Sequence, residues 1–289
     1  MSEGGDAAGS SSFVDLHSHS TASDGILPPD AVVAAAHGAG LRALALTDHD
    51  TLAGVPLATI TGQELGVRIV PGVELSAHYG DGEIHILALH VTRLGLIESR
   101  LETLRAGRQV RASLIVDRLR ALGLDVTVEM VMNEAGDGSV GRPHIARALI
   151  RAGSVRDFRE AFDRYLGSGR PAFVPKERLE VRDAIAMTHE AGGLAIWAHP
   201  GSDGRRARLE PLVEAGLDGV EVRHPSHLTE DANRLGALTD FFGLVPSGGS
   251  DWHGSAEGPR TIGSMKIPVE WLDRQDALVA SRLQPAVQS

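Results

Sequence analysis

The chain has 289 residues and a formal charge of −10, which is length enough for one large or two modest domains with a sizeable buried core. Such acidity lacks the basic footprint of a protein that grips duplex nucleic acid. The absence of cysteine excludes disulfides, thiolate zinc sites, iron–sulfur clusters and cysteine nucleophiles, so any metal must be held by His, Asp and Glu.

Residues 1–12 are Gly, Ser and Ala with Glu3 and Asp6. They lack the basic start and apolar stretch of a signal peptide, and read as a disordered tail on a cytoplasmic protein. No apolar run approaches the roughly 18 residues of a membrane span. Strand one is expected at 13–17. A helix follows, opened by Pro28 and Pro29 and closed by Gly38 and Gly40, and strand two covers 41–47. Strands three (68–75) and four (83–90) are joined by a hairpin signal at Asp81-Gly82. From 93 to 179 the texture changes to long helical periods at 101–122, 145–150 and 158–166, with no convincing strand. Strands five (194–198), six (219–223) and seven (244–247) are spaced by helical stretches at 210–215 and 229–242. Seven strands in mostly βα order suggest a closed or nearly closed α/β barrel. The barrel would be discontinuous, 13–92 with 180–289, and interrupted by a helical insertion domain at 93–179.

His, Asp and Glu fall where such a barrel gathers chemistry. His17 and His19 close strand one, His49 strand two, Glu74 strand three, His199 strand five, and Asp251 with His253 strand seven. The C-terminal strand ends of a βα barrel converge on one face, and imidazole with carboxylate suits zinc, manganese or iron. The His-x-His and Asp-x-His spacings put both side chains of each pair on one side of an extended chain, which turns Trp252 away into packing.

These residues carry a resemblance. FVDLHSH (13–19), ASDG around Asp24, LTDHD around His49, PGVELS around Glu74, EIHIL around His85, AHPG at His199 and SGGSDWHG around Asp251 and His253 look like the successive motifs of the PHP (polymerase and histidinol phosphatase) superfamily. The resemblance implies a distorted seven-stranded barrel with a trinuclear metal site and phosphoesterase activity. By motif, His17, His19, Glu74 and Asp251 would hold one metal. Glu74 would bridge to a second held by His85 and His199, and Asp24, His49 and His253 would hold a third. Three divalent ions (Mn2+, Zn2+ or Fe2+) against three carboxylates leave the site locally at about +3, suited to phosphate.

Within the superfamily, VGRPHIAR (140–147), PAFVP (171–175) and GGLAIWAHP (192–200) resemble the bacterial branch that acts on nucleotides. Its members remove the 3′-phosphate of nucleoside 3′,5′-bisphosphates such as pAp, hydrolyse AMP-like monophosphates, or trim short oligoribonucleotides from the 5′ end. Arg142 and His144 match its motif and would clamp a substrate phosphate, although Arg142-Pro143 is also ordinary helix-start chemistry. Ser226 and His227 follow strand six, beside His224, and resemble a substrate-binding pair; Lys176 is a further phosphate contact or a solvated charge. His37, His78, His90 and His189 match no motif. The expected chemistry is metal-assisted ester hydrolysis, in which a water shared by two metals attacks phosphorus. If strand four runs toward the metal face, the insertion hangs over it as a lid. The expected partner is a small nucleotide or short oligonucleotide, with no duplex nucleic acid and no membrane. The alternatives are a histidinol-phosphate phosphatase, and a non-catalytic sensor that uses metals only to bind nucleotide or phosphate.

Overall fold

The computed structural model describes residues 13–136, 140–175 and 178–283; the tail at 1–12 and Lys176 lie outside them. Two compact units are formed. One comprises the described residues up to Leu94 and from Leu179 onward, and the other is Gly95–Arg178.

The first unit runs β1 (Phe13–Asp15), α1 (Pro29–Gly38), β2 (Ala43–Leu46), α2 (Val55–Leu65), β3 (Arg68–Tyr79) and β4 (Gly82–Leu89) before the insertion. The insertion holds α3 (Leu94–Ala121), α4 (Val128–Ala135), α5 (Arg142–Arg151) and α6 (Phe158–Ala161), the last running into a π-helical turn at Phe162–Leu166. The first unit resumes with α7 (Val181–Glu190), β5 (Leu194–Trp197), α8 (Arg206–Glu214), β6 (Gly219–Arg223), α9 (Thr229–Phe242), β7 (Val245–Gly248), β8 (Ile267–Pro268) and α10 (Val269–Leu283). Among the described residues, no helix is long and apolar enough to cross a membrane.

The strands form one sheet in the order β7-β6-β5-β4-β3-β2-β1-β8. It nearly closes, because just beyond β1 the Leu16 N–H donates to the Gly248 carbonyl of β7 at 3.1 Å. All four residues of β2 are buried, as the continuous apolar run of a parallel strand covered on both faces requires. The barrel interior is small and aliphatic, with Val14, Leu16, Ala43, Ala45, Val70, Leu87 and Ile196 packed together. The scarcity of aromatic residues is thus no obstacle to a dense core.

Three features differ from the sequence-based expectation. The sheet has an eighth strand: β8 is two residues long, pairs antiparallel with β1, and is too short to carry a period. α2 and α10 were not anticipated. α2 is rich in poor helix formers, Val55, Thr59, Ile60, Thr61 and Gly62. It forms because it packs on α1 and β3, with Gly62 so close to Val67 and Ile69 that a Cβ there would come within 2.6 Å of both. Finally, the tight loop between β3 and β4 is Gly80-Asp81, since Tyr79 pairs with Gly82; Gly80 supplies the left-handed φ of 62° that such a loop demands.

The hairpin also reverses β4. It is antiparallel to β3 and β5 alike, and its end, Leu89, pairs with Gly72 and Leu194. Strand four therefore runs away from the C-terminal ends of its parallel neighbours. The chain re-enters the first unit where the His78 N–H donates to the Leu179 carbonyl at 2.7 Å. The second unit is helical among its described residues, with a core of Ile115, Val116, Leu119, Val131, Ile145 and Leu149.

Candidate metal centre

Glu74 lies in the middle of β3 rather than closing it, and is 1% exposed. Its two carboxylate oxygens face different partners. Oε2 is 3.2 Å from His17 Nε2, 3.2 Å from His19 Nε2 and 3.3 Å from His49 Nδ1. Oε1 is 2.7 Å from His85 Nδ1 and 2.9 Å from His199 Nε2. Asp251 Oδ1 closes the first group, 3.4 Å from His17 and 3.1 Å from His19. Asp24 reaches His253 at 3.2 Å, with His19 and His49 at 3.8 and 3.9 Å. All nine residues singled out from the sequence thus meet at one end of the barrel.

Local structure explains the convergence. The Asp48 carboxylate accepts from Ser20 N–H, Ser20 Oγ and Ser23 Oγ, each at 2.7 Å, and so shapes the loop that presents Asp24. Asp15 accepts from the N–H groups of Ser250 and Gly263, tying the loop after β7 to β1. Gly249 abuts His17, where any Cβ would come within 2.5 Å. Trp252 points away from the centre and packs with Val32, Val33 and Leu46. His199 and Asp251 hold φ of 32° and 50°, a region rarely used by residues with a side chain.

Electrostatics within this cluster are mutually compensating. Burial opposes charge on His17, but Glu221 and Glu74 outweigh it and raise its pKa well above the ordinary value. His19, equally opposed by burial, is raised to about 9 by Asp251 and Glu74. Burial also opposes ionisation of Glu74 and Asp251, yet the surrounding histidines hold both far below the carboxylate range, and Asp24 is lowered to about 2 chiefly by His253 and His49. Protons on imidazole here occupy the electrostatic role of cations.

The donor set fits divalent metal. Ligand atoms of His17, His19, Glu74 and Asp251 lie within 4.8 Å of one another, as do those of His19, Asp24, His49 and His253, and those of His49, Glu74 and His85. Both ring nitrogens of His19 are buried and make no well-aligned hydrogen bond among the described residues, Nε2 having only the close carboxylates of Glu74 and Asp251 beside it, an arrangement that a cation between them would complete.

Three further residues belong to this centre and were not among the assigned site residues. Glu221 on β6 is fully buried against His17 and His199. His224, also buried, sets Nε2 3.3 Å from Asp251 Oδ2. Arg260 donates Nη1 to that same oxygen, and its Nε and Nη2 have no partner among the described residues. Nothing local marks Glu221, which stands in a short strand whose first four residues are all buried, or Arg260, which follows an irregular loop.

The residues expected to bind substrate are placed as follows. Ser226 Oγ is 2.7 Å from His224 Nδ1. His227 uses both ring nitrogens on backbone, Nδ1 toward the Val222 carbonyl at 3.0 Å and Nε2 accepting from Gly201 N–H at 3.1 Å. In the second unit, Arg142 opens α5, lies over the rings of Phe162 and Phe173, and donates to the Leu166 carbonyl at 3.3 Å. His144 Nδ1 accepts from the Gly141 N–H at 3.0 Å.

A nearly closed barrel with histidines and carboxylates gathered at one end defines a metal-dependent hydrolase. The PHP domain pattern matches residues 15–154. Over 245 residues the chain is 38% identical to a 5′-3′ exoribonuclease of Haemophilus influenzae, covering 83% of this chain and 89% of that one. It is 35% identical to a 3′,5′-nucleoside bisphosphate phosphatase of Chromobacterium violaceum, covering 86% and 90%. A solved structure assigned as a metal-dependent phosphoesterase of Bifidobacterium adolescentis superposes with a TM-score of 0.73 at 30% identity, over 91% of this chain and 95% of that one. The chain belongs to the PHP domain family, and it is a metal-dependent phosphoesterase.

Proposed function

We propose that the chain removes phosphate from small nucleotides, namely nucleoside 3′,5′-bisphosphates such as pAp and AMP-like monophosphates, and trims short 5′-phosphorylated oligoribonucleotides. The observation that carries this reading is the divided carboxylate of Glu74, whose two oxygens serve two different sets of imidazoles, as a residue bridging two cations must. The relatives named above supply the substrate class.

In this reading His17, His19, Glu74 and Asp251 hold one divalent ion, Glu74, His85 and His199 a second, and Asp24, His49 and His253 a third, with Mn2+, Zn2+ and Fe2+ all suited to the donors. When bound there, such ions would supply Lewis acidity toward water and phosphate. The protein supplies the rest. Glu74 and Asp251 keep their negative charge because imidazoles surround them. Arg260, whose Nη1 donates to Asp251, adds positive charge beside that carboxylate, and Arg142 and His144 recognise a substrate phosphate through charge-assisted hydrogen bonds. Ser226 offers a hydroxyl at the same face, while His227 keeps the loops after β5 and β6 in register.

The test is phosphate release from pAp, AMP, short 5′-phosphorylated RNA and histidinol phosphate with added Mn2+. The best nucleotide is expected to exceed histidinol phosphate by at least about tenfold in kcat/KM, or roughly 1.4 kcal/mol. Equal or better turnover of histidinol phosphate would move the chain to the other branch, and binding without release from any substrate would make it a sensor.

A further inference from the structure

Glu221 is a carboxylate with no exposed surface, a costly placement unless both oxygens are used. Both are. Oε1 lies 3.2 Å from His17 Nδ1, and Oε2 accepts the backbone N–H of His199 at 2.7 Å.

The two bonds act on opposite sides of the centre. A carboxylate only accepts, so the ring nitrogen of His17 that faces it carries the hydrogen. His17 Nε2, on the far side of the ring, 3.2 Å from Glu74 Oε2 and 3.4 Å from Asp251 Oδ1, is then the nitrogen that gives up its proton and offers a lone pair when a cation is bound. The second bond seats His199, whose φ of 32° lies in the left-handed region and whose Nε2 reaches the other oxygen of Glu74 at 2.9 Å. One buried side chain therefore sets a histidine on each side of the Glu74 carboxylate.

We propose that Glu221 is a positioning residue for two neighbouring cation sites at once, fixing the tautomer of His17 through Oε1 and the strained backbone of His199 through Oε2. The proposal rests on the metal-centre reading above. It predicts that glutamine is a poor replacement despite its shape. With the amide oxygen toward His17, its NH2 meets the His199 N–H, donor against donor. With the amide turned over, NH2 faces His17 Nδ1, forces the hydrogen onto Nε2, and removes the lone pair that the cation needs.

The test uses the full-length chain, measuring Mn2+ affinity by titration calorimetry for the unaltered protein, Glu221→Gln and Glu221→Asp. Loss of an outer-shell partner of this kind costs about 10- to 100-fold in metal affinity. Glu221→Gln is expected to show that loss, and Glu221→Asp, which keeps two acceptor oxygens, to recover part of it. Imidazole 15N spectra of the unaltered protein loaded with Zn2+ give an answer independent of any variant's folding: metal on Nε2 and hydrogen on Nδ1 of His17 is expected. Failure of the unaltered protein to bind Mn2+ would remove the metal-centre reading and this proposal with it. Normal binding by both the unaltered protein and Glu221→Gln, or Zn2+ on Nδ1 of His17, would overturn the role of Glu221 alone.

Discussion

Glu74 on β3 and His199 beyond β5 meet at 2.9 Å across 125 positions of sequence. Through Glu74 Oε1 the second half of the barrel is tied to the first, and through Oε2 the same side chain reaches the histidines of β1. Replacing it with glutamine removes the negative charge that both groups share and turns the acceptor facing one of them into a donor. Loss of outer-shell partners alone costs about 10- to 100-fold, so Glu74→Gln should lower phosphate release by at least about a hundredfold and reduce the metal content found by elemental analysis. Full metal content with unchanged turnover would refute the bridging role.

Metal loading should release protons. The pKa values of His17 and His19 are raised, that of His19 to about 9, so both rings are charged at pH 7 in the metal-free protein and must lose a proton to become ligands. A raised value in the folded state contributes stability that is fully present below the unfolded histidine value near 6.5 and is lost as pH climbs through about 9. Metal affinity should therefore rise, and metal-free stability fall, between about pH 6.5 and 9. Titrating Mn2+ into a weakly buffered solution at pH 7 should acidify it; no acidification would mean that these rings are already neutral.

Arg142→Ala should leave metal content intact and raise KM for nucleotides, with a much smaller effect on p-nitrophenyl phosphate. A charge-assisted contact of about 1.5 to 3 kcal/mol corresponds to roughly 10- to 150-fold in kcat/KM. Equal losses on both substrates would place Arg142 on the reacting phosphoryl group. No loss on either would leave it as the start of α5, stacked on Phe162 and Phe173.

Away from the centre, Asp218 should govern part of the acid limit of stability. Its carboxylate is buried and accepts from Ala195 N–H at 2.8 Å, His189 Nε2 at 2.8 Å and the Arg282 guanidinium. Burial opposes its charge, but His189 and Arg282 hold its pKa below the ordinary value of 3.8. The stabilisation is present above that ordinary value and disappears as pH falls through the lower folded one. Asp218→Asn should cost about 1 to 3 kcal/mol near neutral pH and flatten the pH dependence of Tm below about pH 4. An unchanged acid limb would show that the Asp218 interactions contribute nothing there.

Much of this site was legible because its signals are local. His17 and His19, like Asp251 and His253, share a face through the two-residue period of extended chain, and a turn residue beside each motif marks a strand end. The class of chemistry was equally legible: a chain without cysteine that spaces His, Asp and Glu in this way has few uses for them other than hard or borderline metal ions. Glu221 was passed over because it looks like any alternating residue of a short strand until His17 and His199 are placed against it.

What the sequence determined by itself was the alternation of strands and helices, seven of the converging residues at strand ends and the helical texture of the insertion, set by periodicities of two or 3.6 residues and by turn chemistry; Asp24 and His85 were added by the resemblance to the PHP superfamily. The direction of β4, the pairing of β8 with β1, the existence of α2, the place of Arg260 and the division of labour between the oxygens of Glu74 were decided by tertiary structure alone. Each depends on which distant backbone groups share a register. A strand reads the same in either direction along its own residues, and only its hydrogen-bonded neighbours decide which end faces the metal centre.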